Sequence, residues 1–428
     1  MKTSIRAAIS SSYDDVVVYA MDVMAEPCRN AFLKKNPYIQ AKCSRALPIA
    51  SRQDIVVLAQ KPNQEYLEWL RSLGLGPEVV VSYDYTDAKL SLSELIIRDP
   101  KPVLDAIKAT GRDPILVPFF SGKLEEKAAE ILGARLFASK EEITMRFFNK
   151  ENFKKECASL HIPLIEGVSQ QLRDDSQKGS LSASNLEMVV SELLDKYTSV
   201  IVRGTEGSAG SSLYTIERER LKATIGEIIE QGEERVLIEP FLDVIASPND
   251  QWIIGEEGQV HHFGLTAQLF EGLRHMGNLK GQYFSDRVVE YITQISTKIA
   301  LHMSELGYRG VMGVDYIVAG DGIFPIENNA RMNGSSFTIA IEQALEPRHG
   351  EIPCWKFFKA KTEPCSFKEL CKRMEPILYD GTGINAVFPY DCDTVPLNGA
   401  FTPIIFAEDL YHIEHLESAL RELGIARE

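Results

Sequence analysis

The sequence predicts an α/β protein: a Rossmann-like N-terminal domain, a central α+β region and a small C-terminal α+β domain. Three observations carry that expectation. Short apolar runs alternate with amphipathic segments through the first 140 residues, the pattern turns strongly β from Ser199, and a hairpin with an unusual polar face occupies residues 311–331. At 428 residues the chain is long enough for two or three domains.

Residues 16–20 (VVVYA) and 55–59 (IVVLA) read as buried parallel strands, 65–73 as a helix, and 79–82 and 116–120 as further strands. Strand–helix alternation over that length predicts a Rossmann-like domain spanning 1–140. No G-x-G-x-x-G fingerprint accompanies it. Residues 73–77 (LGLGP) are too short and follow no strand, so a dinucleotide role is not expected. Residues 140–161 read as helix-rich and 173–184 as a polar surface loop. The β runs that follow give way to helical periodicity over 286–306, then the hairpin, then a helix around 336–344. Residues 347–366, interrupted by Pro and Lys, read as a link to a C-terminal unit at 367–428. There are no internal repeats.

Composition is that of a globular chain, 44% hydrophobic and 25% charged, which makes large-scale disorder unexpected. The net charge of -15 and the lack of any Lys/Arg run argue against a nucleic-acid partner and favour small-molecule chemistry. Seven scattered cysteines without a C-x-x-C pair read as reduced thiols, which makes the expected location cytoplasmic. No apolar stretch suits a signal peptide or a membrane span. A homodimer is the default assembly, as the commonest one.

The hairpin carries most of the functional reading. Two β-rich runs flank Gly320-Asp321-Gly322, a turn of the three-residue kind. Pairing centred on Asp321 sets Asp315 opposite Glu327, and the period of two places Asn329 and Arg331 on the same face as Glu327. Val314, Tyr316, Val318, Phe324 and Ile326 are then expected on the other, apolar face. Directly opposed residues have Cβ atoms about 4.5–5.5 Å apart, where like charges are destabilising. A divalent cation removes the repulsion, and oxygen-only ligands suit magnesium. A solvated polar face on an ordinary hairpin is the competing explanation.

The D-x11-E-x-N-x-R pattern of Asp315, Glu327, Asn329 and Arg331 resembles the metal and phosphate signature of ATP-grasp enzymes. Other elements follow in the family's order. Asn149-Lys150, a helix and His161-Ile162-Pro163 are similar to the opening of the first subdomain. Residues 201–212 resemble the strand and glycine-rich flap over the phosphates, with Arg203 where lysine is usual. Residues 236–242 (VLIEPFL) resemble the segment that recognises adenine. Over its whole length the chain is similar to ATP-grasp peptide ligases of the pheganomycin type, which carry an N-terminal pre-ATP-grasp domain.

The resemblance implies a two-lobed ATP-grasp domain at 141–350, with subdomains of about 141–240 and 241–350. It implies ATP and two Mg²⁺ ions, with Mn²⁺ as a substitute. Asp315, Glu327 and Asn329 hold the metals on this reading. Arg331 and Arg203 serve the transferring phosphoryl group, and Lys150, Arg203, Gly207 and Ser208 the nucleotide phosphates. Glu239 and Phe241 take adenine, and Asp250 the ribose, with Asp243 as second choice. Substrate contacts are expected from Gln268, Arg274 (with His275 beside it), Arg331, Gly334 and Ser335. The implied reaction activates a carboxylate as an acyl phosphate, releases ADP and joins the carboxylate to an amine, forming an amide, with amino acids or short peptides as partners. Two alternatives stay open: an ATP-grasp enzyme with a non-amino-acid acceptor or no second step, and a nucleotide-binding regulatory protein without chemistry. His261-His262 and His412-x-x-His415 lack a partner set at zinc spacing and read as surface or packing residues.

Overall fold

The computed structural model describes residues 4–10, 12, 14–27, 29, 33, 38, 42–85, 89–173, 180–206, 212–282 and 284–428. The first sheet is five-stranded and wholly parallel. Its strands lie in the order Val79–Ser82, Ile55–Leu58, Asp15–Ala20, Asp113–Pro118 and Arg135–Leu136. The two strands at 15–20 and 55–58 are buried along their whole length, which is why they read as unbroken apolar runs. Helices Gln64–Ser72, Leu92–Arg98, Lys101–Thr110 and Lys123–Leu132 alternate with the strands, so the expected Rossmann-like order is present.

The helix-rich stretch divides into Glu141–Phe148 and Lys150–Ser159. The break is Asn149, whose side chain accepts the backbone N–H groups of Glu151 and Asn152 and so caps the second helix. A four-stranded antiparallel sheet follows, ordered Val168–Gln171, Arg235–Pro240, Ser199–Gly204 and Leu213–Glu217. Two helices, Ser180–Leu194 and Leu221–Gln231, cover it. Leu186, Val190, Val200, Val202, Ile225, Ile228 and Ile238 give this lobe an apolar core of its own. The loop expected at 173–184 is therefore corrected: the chain is already helical from Ser180, while 174–179 lie outside the described residues. Its serine-rich first turn hides the apolar period, which starts at Leu186.

The remaining strands form one eleven-stranded sheet from Val244 to Arg427. Residues 347–366 are not a link. Strand Cys354–Phe358 pairs with Arg274–Lys280 on one side and Ala400–Ala407 on the other. Trp355 is fully buried there and donates its indole N–H to Glu342 at 2.7 Å. The lysine that obscured this strand, Lys356, is paired with Glu417 at 2.5 Å. No helix among the described residues is long and apolar enough to cross a membrane, and six described cysteines are free.

A polar bolt fastens the first unit to the C-terminal strands. Lys42 and Arg45 reach Asp391 Oδ2 at 3.2 and 3.3 Å, and the Ser44 hydroxyl donates to Asp393 at 2.5 Å. Burial works against ionisation of Asp391, but Lys42 and Arg45 outweigh it and hold its pKa down at about 2. Burial, with Asp391 alongside, pushes Asp393 up to about 7. Asp393 therefore takes up a proton on folding between the ordinary aspartate value and its raised one. Its contribution falls as pH rises through that window, the opposite sign to Asp391. Asp393→Asn is expected to flatten the slope of unfolding free energy against pH between about pH 5 and 7, by up to about 1.4 kcal/mol per pH unit. Urea titrations across that range measure it, and an unchanged slope means that Asp393 is ionised in the folded protein.

Candidate functional site

The hairpin forms from Gly310–Ala319 and Gly322–Asn329. Asp315 is opposite Glu327, and Gly313 opposite Asn329, as the pattern predicts. The turn is different: Ala319 pairs with Gly322, leaving the two residues Gly320-Asp321 as the loop. The register slips by one between Asp315 and Tyr316, so Ile326 is an extra, bulged residue. Phe324 consequently pairs with Ile317 rather than Val318, which corrects the expected apolar face. Pro325 stands next to the bulge, where a residue without an N–H is tolerated. The bulge releases the Ile326 carbonyl, which accepts from Arg203 Nη1 at 3.1 Å.

Asp315 is buried and both its oxygens are engaged. Asn249 donates to Oδ1 at 2.5 Å and Asn329 to Oδ2 at 3.1 Å. Burial first, then the Glu327 carboxylate, push its pKa well above the ordinary aspartate range, with hydrogen bonds from Asn249, Asn329 and Gln268 opposing. Behind it lies an amide cluster. Gln251 donates to Asn249 at 2.5 Å and to Asn333 at 3.1 Å. Ser335 donates to Asn249 at 2.8 Å and Ser336 to Gln251 at 2.6 Å. Gly313 makes room for it, since a Cβ there would stand 2.5 Å from Gln251 Nε2 and 2.7 Å from Asn333 Nδ2. Among the described residues no three His, Cys, Asp or Glu side chains gather to hold a metal by themselves. Two carboxylates and an amide form a partial oxygen shell, which fits a hard cation completed by water and phosphate.

The other lobe reaches this hairpin with cations. Lys150, at the start of its helix, is buried and places Nζ 3.2 Å from Glu327 Oε2. Its backbone N–H is held by the Thr205 carbonyl at 2.9 Å, at the base of the glycine-rich segment. Gly207 and Ser208 lie outside the described residues. Arg203 and Lys154 bracket Glu239 at 2.6 and 2.5 Å. Burial disfavours that carboxylate, but Arg203 and Lys154 outweigh it and hold its pKa below the ordinary glutamate range. A cleft lined by Phe153, Leu164, Ile165, Pro325 and Ile326 beside Lys154, Arg203 and Glu239 runs between the lobes.

Arg331 turns toward the N-terminal unit. Its Nε lies 2.8 Å from the buried Glu26 carboxylate, and its guanidinium stacks 5.4 Å from the Phe119 ring centroid and 5.9 Å from that of Phe148.

Several expected residues are placed elsewhere. Asp250 does not face the site: it pairs with Val314 on the opposite side of the sheet and is fully buried. There it accepts from the Trp252 indole at 2.8 Å and meets His262 at 2.8 Å. Alternation along the strand is the reason, since Asn249 and Gln251 take the site face. Asp243 and Phe241 are exposed, and Phe241 does not line the cleft. Gln268 does reach the site, hydrogen-bonding Asp315, and Ser335 joins the amide cluster. Gly334 opens the helix Gly334–His349, behind the cap Asn333, and Arg274 is exposed at the start of its strand. Sequence reasoning missed Glu26, Lys154, Asn249, Gln251, Asn333 and Ser336. Only Asn249 and Gln251 carried a signal, the polar run Asn249-Asp250-Gln251 that enters the 248–254 strand.

No protein-family model matches the chain. Over 282 residues it is 26% identical to L-propargylglycine--L-glutamate ligase of Streptantibioticus cattleyicolor, covering 59% of this chain and 55% of that one. The match thus spans about half the length of that relative. Among solved structures the chain is similar to the biotin carboxylase–ATP complex of Campylobacter jejuni, with a TM-score of 0.59, 14% identity and coverage of 99% of this chain and 93% of that one. It is also similar to N5-carboxyaminoimidazole synthetase of Staphylococcus aureus complexed with ADP, with a TM-score of 0.58, 11% identity and coverage of 95% and 96%. At these identities the structural likeness is one of fold. A parallel N-terminal sheet, an antiparallel lobe and a second sheet carrying the acidic hairpin, superposable on these enzymes along nearly the whole chain, give it the ATP-grasp fold.

Proposed function

We propose that the chain is an ATP- and Mg²⁺-dependent ligase that activates a carboxylate as an acyl phosphate and joins it to an amine, forming an amide between amino acids or short peptides. The observation that carries this reading is the opposed pair Asp315 and Glu327, with Lys150 of the other lobe beside it. Asp315, Glu327 and Asn329 would hold magnesium, and Lys150 and Arg203 would face the nucleotide phosphates. When bound, ATP supplies the phosphoryl group and the metal neutralises the charge on its phosphates.

The chain's own residues contribute position and field. The amide cluster fixes the direction of Asp315, and the Glu26 carboxylate with two aromatic rings fixes Arg331. The apolar wall of the interlobe cleft suits an adenine ring, with Glu239 and its two cations at the polar end. With Asp250 turned away, the exposed Asp243 is the ribose candidate. On this reading the N-terminal unit ends near 140, the lobes meet near 240, and 367–428 extends the second lobe's sheet. The relative named above joins, by its name, two amino acids, which supports amino acids as substrates here.

ADP release measured with Mg²⁺ and ATP across pairs of amino acids and short peptides, with products weighed by mass spectrometry, tests the reading. ADP and an amide product are expected for at least one pair, and no ADP above background for any of them counts against it. Glu327→Ala is expected to lower ATP turnover by at least about 100-fold while circular dichroism stays native. Wild-type turnover in that variant would make the metal assignment wrong. Gly313→Ala is expected to cost about 1–3 kcal/mol of stability by displacing the amide cluster. Gly320→Ala, where an added Cβ meets nothing within 4 Å, is its neutral control. Equal melting temperatures for the two would show that the cluster does not need the space.

A further inference from the structure

The parallel sheet of the N-terminal unit reverses its strand order between Asp15–Ala20 and Asp113–Pro118. From the first of these the chain runs outward through 55–58 and 79–82, then returns to the other side for 113–118. The crevice outside the carboxyl ends of two such strands is where open α/β sheets receive a ligand. Here it receives a side chain of the hairpin, Arg331. Glu26 follows the first strand and Phe119 the second. Glu26 is set in place by the short turn Val23–Ala25, whose cap Asp22 accepts the Met24 N–H at 2.9 Å and the Leu92 N–H at 2.8 Å. The Glu26 N–H closes that turn on the Val23 carbonyl at 3.2 Å. What is left of the crevice is a cavity lined by Val117, Phe119, Ser121, Tyr308 and Arg331, among others.

Three groups hold Arg331. Its Nε lies 2.8 Å from Glu26 Oε1, with the two side chains only 9% and 2% exposed. Phe119 and Phe148 lie under its guanidinium at 5.4 and 5.9 Å. Both rings are themselves braced. Phe119 stacks on Phe337 at 6.3 Å and 9° and carries Arg45 over its ring at 5.8 Å, while Phe120 meets Phe148 edge-on at 5.1 Å. Phe148 also ends the helix Glu141–Phe148, two residues before Lys150. A buried ion pair is a weak source of stability, because taking two charges out of water costs about what their attraction returns. Apolar side chains would join the two units as well. What the charge adds is direction: one guanidinium in one orientation, two residues beyond Asn329.

We propose that Glu26 is a positioning residue for the ligation: its carboxylate, with the Phe119 ring, aims the Arg331 guanidinium at the phosphoryl group in transfer. This rests on the ligase reading, in which Arg331 serves that group. It gives the N-terminal unit a share in the chemical step, exercised through Arg331. Charge spreads over the equatorial oxygens during phosphoryl transfer, and a guanidinium already in place stabilises it without reorganisation. A misplacement of about 1 Å can cost about 100-fold in rate. Loss of the Glu26 charge is therefore expected to weaken binding of the transition state and to leave ground-state nucleotide binding as it was.

Isothermal titration of the full chain with ADP and Mg²⁺, with and without aluminium fluoride, tests this whatever the substrates are. ADP with aluminium fluoride imitates the planar phosphoryl group in transfer, and wild type is expected to bind ADP about tenfold or more tighter in its presence. Glu26→Gln is expected to lose most of that gain while binding ADP alone as wild type does, with native circular dichroism. Glu26→Asp, which keeps the charge, is expected to restore part of the gain. Phe119→Leu, which keeps an apolar side chain without a ring face, is expected to lose part of it. Arg331→Lys is expected to lose most of the gain, and adding Glu26→Gln to it to change nothing further. A gain that survives Glu26→Gln, or a second loss on top of that from Arg331→Lys, overturns the proposal. So does a wild type that binds ADP and gains nothing from the fluoride. Should Glu26→Gln not fold, an undiminished gain in Phe119→Leu overturns it. A wild type that does not bind ADP at all sinks the ligase reading instead.

Discussion

Two carboxylates facing each other across a β-ribbon are an arrangement that an isolated fold would avoid, and much of the second lobe is organised around tolerating it. Asp315 and Glu327 are opposed in register, and Asp315 is buried. Asn249 and Asn329 each donate to one Asp315 oxygen, and Lys150 comes from the other lobe to Glu327. Donors of this kind stabilise the ionised form without removing the repulsion between the acids. What remains is a buried acid whose pKa stays well above the ordinary aspartate range. Gly313 belongs to the same constraint: any side chain at that position would displace the amides that hold Asp315 in place.

The construction of the other lobe follows from its task as a partner. The apolar core of its four-stranded sheet is separate, closed by that sheet's two helices, whereas Phe153 and Cys157 of the Lys150 helix pack into the main core. The lobe's described polar ties to the hairpin include the Lys150–Glu327 ion pair and the bond from Arg203 to the Ile326 carbonyl. Both come from cations. The bulge at Ile326 serves this contact, because a regular ladder would direct that carbonyl toward the partner strand. Arginine at position 203 therefore has a local reason: its fork spans the Glu239 carboxylate and the Ile326 carbonyl together, which an ammonium at the same place would do less well.

What could be read from the sequence was what lies within one or two adjacent strands. Asp315 against Glu327 follows from a turn and a period of two, and the buried parallel strands follow from unbroken apolar runs. The turn itself was misjudged by one residue because Gly-Asp-Gly fits both loop lengths, and only the bulge restores the pairing at the acids. Asp250 is misplaced for a related reason: it lies inside the strand Pro248–Ile254 rather than in a loop, and parity sends it into the core. Glu26 was illegible. It lies some 300 positions from Arg331 in the chain, in a segment with no period, and only the packing of the parallel sheet against the hairpin brings them together. The strand at 354–358 was hidden by Lys356, whose charge looked like a surface until Glu417 was seen beside it.

The same distinction separates structural charge from functional charge across the molecule. Where a charged group serves the fold, its counterpart is present and close: Asp391 with Lys42 and Arg45, Glu342 with Lys280, Glu239 with Lys154 and Arg203. The candidate site breaks the pattern, with two acids opposed at the hairpin and Lys150 beside Glu327. That excess does not help folding, since it raises the energy of the empty protein.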